Sequence, residues 1–112
     1  MALPEDMLAI DCSTPGGPDA LKPVRMPLPQ PGEGEVLIKV AAAGVNRPDV
    51  LQRMGLYPPP PGASPLPGLE VSGEVVALGA EVESHHLGQP VSALVAGGGY
   101  AEYAIAPASV CL

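Results

Sequence analysis

The sequence predicts a mainly β domain, and three observations support this. Hydrophobic residues make up 46% of the 112-residue chain, but Phe and Trp are absent and Tyr occurs only three times, so the core is built from Val, Leu, Ala and Ile. The 16 Pro and 14 Gly residues interrupt short apolar runs, as turns do in an all-β domain. The length suits one small domain with a core and is too short for a two-domain enzyme.

The N-terminal third predicts two strands joined by a turn. Residues 7–10 form a short apolar run, and the Gly and Pro residues of 14–18 prevent a helix. Residues 21–26 predict a second strand, in which Pro23 indicates an edge or a bulge because proline cannot donate to a ladder.

Residues 35–43 are the clearest strand because their side chains alternate. One predicted face carries Val36, Ile38 and Val40, and the other carries Leu37, Lys39 and Ala41.

Residues 48–54 predict a helix. Asn46 or Arg47 precedes it, Pro48 suits its first turn, and Gly55 suits the left-handed position after its end.

A rigid connection follows the helix, beginning at Tyr57 and running through the prolines of 58–62. Such runs can bind SH3 or WW modules, but a stiff loop rimming a cleft is the simpler interpretation. Further strands are predicted at 69–78, 91–95 and 100–105.

The net charge, the N-terminus and the two cysteines argue against several classes of protein. Twelve acidic and five basic residues give a net charge of −7, which does not favour nucleic acid or an anionic membrane. The N-terminus lacks the features of a signal peptide, and Cys12 and Cys111 lack metal-ligand spacing. We therefore expect a reduced, cytoplasmic protein.

Two motifs resemble those of zinc alcohol dehydrogenases with their ligands removed. In 68–79 the histidine expected before Glu70 is Leu69, and in 43–49 the expected cysteine is Asn46. Zinc prefers thiolate, imidazole and carboxylate ligands. The sequence therefore predicts that no metal is bound here.

Three segments together resemble the catalytic domain of medium-chain dehydrogenases/reductases: 34–40, 44–49 and 68–79. The resemblance runs from about residue 7 to residue 112. It implies a GroES-like, partly open β-barrel with one or two short helices.

Within that superfamily, 46–64 is most similar to the zinc-independent NADPH:quinone oxidoreductases, especially the group with the p53-inducible member. Residues 59–64 and 97–99 are the most specific part of this resemblance. It implies hydride transfer from NADPH to a quinone or conjugated carbonyl, and a homodimer when the protein is full length.

Residues 1–112 would then be the GroES-like, substrate-side domain only, and we expect the chain to be a fragment that lacks the Rossmann cofactor domain. Gly97, Gly98 and Gly99 lack the G-x-G-x-x-G register, so they do not predict a phosphate cradle.

The resemblance nominates three site residues. Tyr57 would be catalytic and contact substrate, because a phenol can donate to the oxygen that gains charge; packing in the loop is the alternative. Asn46 would contact cofactor or substrate, or cap the helix. Arg47 would meet a cofactor phosphate, although a surface position is commoner.

Other polar residues are given structural roles. Glu70 is expected to make a hydrogen bond or an ion pair rather than to act as a base, and Arg53 is expected to be solvated. His85 and His86 are adjacent and predict a turn rather than a metal site.

Two alternatives to the quinone reductase stay open. Zinc-free enoyl reductases share the Asn46 and Tyr57 pattern, although the proline-rich loop favours the quinone branch. A non-enzymatic GroES-like binding or assembly module is the alternative from a different class.

Overall fold

The computed structural model describes residues 3–112, which form two antiparallel sheets and one α-helix. The elements in chain order are β1 (Asp6–Asp11), β2 (Lys22–Pro27), β3 (Glu35–Ala43), α1 (Arg47–Arg53), β4 (Glu70–Leu78), β5 (Pro90–Leu94) and β6 (Tyr103–Pro107). Short 3-10 turns lie at Pro18–Ala20 and Ala108–Val110. The predicted mainly β, partly open fold is confirmed.

The first sheet is the β1–β2 hairpin, and the second has the order β5-β4-β3-β6. Pro23 lies in β2, the outer strand of its sheet, and pairs with Ile10 of β1. Its missing N–H is therefore tolerated at an edge, as predicted. Two register shifts in the β3–β4 pair, at Leu37/Ile38 and Val40/Ala42, bend the second sheet.

The segment 100–102 joins the two sheets. The Ile10 N–H donates to the Tyr100 carbonyl at 2.8 Å, and the Glu102 N–H donates to the Leu8 carbonyl at 3.0 Å. The prediction that the last strand begins at residue 100 is therefore wrong: these residues pair with β1, and β6 begins only at Tyr103.

The core lies on both faces of β3. Val36 and Ile38 are fully buried in a cluster with β4, β5 and β6, whereas Leu37 points into a second cluster. That second cluster also contains Met7, Ala9, Leu28 and Leu66. The alternation predicted for this strand is thus confirmed. Because β3 lies between β4 and β6, its last residues are held beside the start of β4.

Helix α1 is separated from the end of β3 by three residues and lies one residue earlier than predicted at each end. Gly55 follows it with φ +82°, in the left-handed conformation predicted for this position. The Gly55 and Leu56 N–H groups donate to the Gln52 and Leu51 carbonyls, which closes the helix. None of the helices within residues 3–112 is long and apolar enough to cross a membrane.

Candidate functional site

The two altered ligand motifs lie side by side at the end of β3 and the start of β4. Ala43 pairs with Val71, and the Gly44 N–H donates to the Glu70 carbonyl at 2.9 Å. A Cβ on Gly44 would lie 2.2 Å from Glu70 Oε1. The glycine therefore lets the Glu70 carboxylate approach the backbone that leads to Asn46.

Asn46 links this junction to the helix. It is half-buried and forms a capping box with Asp49: the Asp49 Oδ2 accepts the Asn46 backbone N–H at 2.9 Å, and the Asp49 N–H donates to the Asn46 backbone carbonyl at 3.0 Å. The Asn46 side-chain Nδ2 donates to Glu70 Oε1 at 3.3 Å. Asn46 therefore occupies the N-cap position of α1, and Glu70 makes the hydrogen bond expected of it.

Asp49 was not singled out from the sequence, yet it is the one buried charged side chain among residues 3–112, with 4% of its surface exposed. Its Oδ2 also accepts the Tyr100 hydroxyl at 2.6 Å, across 51 residues of chain. Bonds to an ionised acceptor are short and strong, which offsets the cost of burying the carboxylate.

The pair has an electrostatic consequence for Tyr100 and leaves one atom unpaired. Burial, the hydrogen bond to Asp49 and the charge of Asp49 together raise the pKa of Tyr100 well above its usual value, so the hydroxyl stays a donor at physiological pH. Asp49 Oδ1 is buried and has no hydrogen-bond partner within the described part of the chain. Such an atom costs about 1–3 kcal/mol.

The glycine turn at 97–99 is hydrogen-bonded to residues 66–68, and we call the contact between these two segments the glycine seam. The N–H groups of Gly98, Gly99 and Tyr100 donate to the carbonyls of Leu66, Gly68 and Pro67, at 3.0–3.1 Å. Gly98 and Gly99 are buried. Because these donors are already used, the turn has none of those three to offer a phosphate, which agrees with its missing fingerprint register.

Tyr57 lies in a different place from Asn46. It is half-buried and lines a cavity of about 240 Å³ with Cys12, Gln52 and Pro65, and Asn46 is not among the lining residues. The prolines after it are exposed, and the Gln52 side-chain Nε2 holds the far end of the loop by donating to the Pro65 carbonyl at 2.9 Å. The structure therefore places Tyr57 at the base of the stiff loop.

The two arginines differ. Arg47 is exposed at the start of α1, free of the capping box beside it. Arg53 is half-buried, and its Nε donates to the Gly16 carbonyl at 3.2 Å. Arg53 therefore keeps part of its surface in solvent, as expected, and it also bonds to the chain before β2.

The histidine pair makes no hydrogen bond to Asn46, Asp49 or Glu70 within the described residues. His85 Nδ1 shares a hydrogen bond with the Ser84 hydroxyl at 2.8 Å, and its Nε2 lies 3.3 Å from the Cys111 carbonyl oxygen. Within residues 3–112, no group of three or more His, Cys, Asp or Glu side chains is placed to hold a metal ion.

Comparison with known proteins gives a family match. Residues 32–112 match the alcohol dehydrogenase GroES-like domain. The quinone oxidoreductase of Lama guanicoe is 43% identical over 104 residues, which cover 89% of this chain and 31% of that protein. The chain thus spans about a third of the length of this relative.

Two solved structures are similar in fold and sequence. The human synaptic vesicle membrane protein VAT-1 homolog-like protein has a TM-score of 0.87 at 36% identity, covering 96% of this chain and 35% of that one. A mycobacterial protein complexed with NADPH has a TM-score of 0.79 at 42% identity, covering 94% of this chain and 31% of that one.

Proposed function

Because this chain belongs to the alcohol dehydrogenase GroES-like domain family, we propose that it is the substrate-side domain of a zinc-independent, NADPH-dependent quinone oxidoreductase. The longer protein would transfer hydride to a quinone or another conjugated carbonyl. Within it, residues 1–112 would form one wall of the cleft. We further propose that the protein is cytoplasmic and dimeric.

The replacement of both ligands at one junction carries this proposal. Asn46 and Leu69 stand where the family places a thiolate and an imidazole, and the Asn46 amide donates to Glu70 instead. An amide and an alkyl group are poor zinc ligands. The hydrogen bond from Asn46 to Glu70 supports the proposal that this position works without zinc.

A nicotinamide cofactor would supply the hydride chemistry when bound. The chain's own residues fit supporting roles: the half-buried Asn46 amide can orient a carboxamide or a carbonyl, and the exposed Arg47 guanidinium can pair with a phosphate. Tyr57 would donate its hydroxyl to the substrate oxygen that gains charge. Its cavity is separate from Asn46, so in this proposal the two side chains contact different parts of the ligands.

The experiment is NADPH oxidation by the longer protein that carries this chain, with 9,10-phenanthrenequinone as acceptor and with or without a zinc chelator. We expect turnover that resists the chelator and that falls about tenfold or more in Tyr57→Phe and Asn46→Ala. Tyr103→Phe, which removes a phenol hydroxyl from β6, is the matched control and should retain activity.

The other outcomes discriminate between the alternatives. Turnover abolished by the chelator would refute zinc independence. Reduction of an enoyl thioester without quinone turnover would assign the chain to the enoyl reductases. Folded protein that is inactive with both substrates would favour the non-enzymatic binding module.

A further inference from the structure

Helix capping alone does not explain why the Asp49 carboxylate is buried or why it accepts the Tyr100 hydroxyl. An exposed carboxylate can cap a helix equally well, whereas Asp49 is 4% exposed and receives a second donor from a segment 51 residues away. Burying a charge is costly unless it is well bonded. The pair therefore calls for a role beyond the helix start.

The position of Tyr100 is set by the glycine seam. Its N–H donates to the Pro67 carbonyl at 3.0 Å, and a Cβ on Gly68 would lie 2.5 Å from the Tyr100 nitrogen and 2.7 Å from its ring atom Cδ1. The ring is thus packed directly against a backbone that has no side chain. Its hydroxyl has little freedom to leave Asp49.

Asn46 is held from two directions. Asp49 Oδ2 accepts its backbone N–H at 2.9 Å, and Glu70 Oε1 accepts its side-chain amide at 3.3 Å. The order of contacts runs from the seam through Tyr100 to Asp49 and from Asp49 to Asn46. A shift of Asp49 would therefore move the backbone from which the Asn46 amide projects.

We propose that Tyr100 and Asp49 are positioning residues that fix the Asn46 side chain, so that the Tyr100 hydroxyl acts on the cleft through Asp49 without contacting a ligand. The catalytic part of this inference rests on the proposed function. The structural part concerns this chain alone.

The structural part can be tested on the 112-residue chain by NMR. Asn46 is the sole asparagine, so its side-chain amide gives one assignable pair of signals after selective ¹⁵N labelling. We expect these signals to move in Tyr100→Phe and to stay in place in the matched variant Tyr103→Phe. Unmoved signals in a folded Tyr100→Phe chain would overturn the inference.

A measurement on the unaltered chain covers the case in which Tyr100→Phe does not fold. The Tyr100 hydroxyl and the Asn46 backbone N–H both donate to Asp49 Oδ2, so their protons lie within about 4 Å of each other. We expect a nuclear Overhauser effect between them. Its absence, with the hydroxyl proton resolved, would overturn the inference.

The catalytic part is tested by a double-mutant cycle in the longer protein. We expect Tyr100→Phe to lower kcat about tenfold with little change in KM, because misorientation of a contact group affects the chemical step. In an Asn46→Ala background the same substitution should add almost nothing. Two fully additive losses would show that Tyr100 acts independently of Asn46 and would refute positioning.

The two proposals fail in different ways. Absence of quinone turnover in the wild-type protein refutes the proposed function, while the NMR result on Asn46 still supports or refutes positioning by Tyr100 and Asp49.

Discussion

Replacing Gly68 by alanine tests the seam that holds Tyr100. Gly68 has φ +107°, and a Cβ there would lie 2.5 Å from the Tyr100 nitrogen and 2.7 Å from Gly99 Cα. These are backbone atoms, which cannot rotate away as a side chain would. The substitution therefore combines strain in the glycine itself with separation of the two segments.

The cost can be estimated from the contacts. An L side chain at this φ costs about 1–2 kcal/mol, and the Tyr100-to-Pro67 and Gly99-to-Gly68 hydrogen bonds contribute about 1 kcal/mol each. We therefore expect a destabilisation of about 3–4 kcal/mol. With an unfolding entropy near 2.1 cal/mol/K per residue, that lowers Tm by about 13–17 °C.

The assay is thermal and urea unfolding of the 112-residue chain followed by circular dichroism. Gly34→Ala is the matched control: Gly34 also has positive φ, at +75°, but a Cβ there meets nothing within 4 Å. It should cost only the strain, about 1–2 kcal/mol or about 4–9 °C. If Gly68→Ala were no more destabilising than Gly34→Ala, the argument from the seam would be refuted.

Two further predictions concern ionisation. Because the pKa of Tyr100 is raised in the folded chain, folding favours the protonated phenol, and the resulting contribution to stability is complete below pH about 10 and declines above it. The free energy of unfolding should therefore fall more steeply above that pH in the wild type than in Tyr100→Phe. Equal slopes would contradict the pairing with Asp49. Burial raises the pKa of the Cys12 thiol, with a smaller contribution from the charge of Asp11, and burial also raises the pKa of the Cys111 thiol. Both thiols should react with a disulfide reagent at least about ten times more slowly in the native chain than in urea. A fast reaction in the native chain would contradict their burial.

The regular elements were predictable because their signals are local. Alternation located β3 from Glu35 to Ala43, and Pro48 with Gly55 located the helix to within one residue. The start of β6 was not predictable, because residues 100–102 bond to β1, 94 residues away at Leu8 and Glu102, and the Glu102 carbonyl also accepts the Val40 N–H of β3. Periodicity carries no information about the partner strand.

In the candidate site too, the features set by local sequence were predictable and those set by distant contacts were not. The loss of the zinc ligands at Asn46 and Leu69 is legible in the sequence, and the three-residue spacing from Asn46 to Asp49 is a capping-box signal that could have identified Asp49. Nothing local connects Asp49 to Tyr100. The separate location of Tyr57 likewise depends on the path of the loop, which proline content alone does not determine.

The pairing of β1 with residues 100–102 has a consequence for biosynthesis. The Leu8 N–H donates to Glu102 Oε1 across 94 residues, and the Ile10 N–H donates to the Tyr100 carbonyl. During translation the N-terminal hairpin must therefore wait, with one edge of β1 unpaired, until nearly all of this chain has left the ribosome. At about 5–20 residues per second this interval lasts several seconds, during which the N–H groups of Leu8 and Ile10 lack the partners they have in the folded chain.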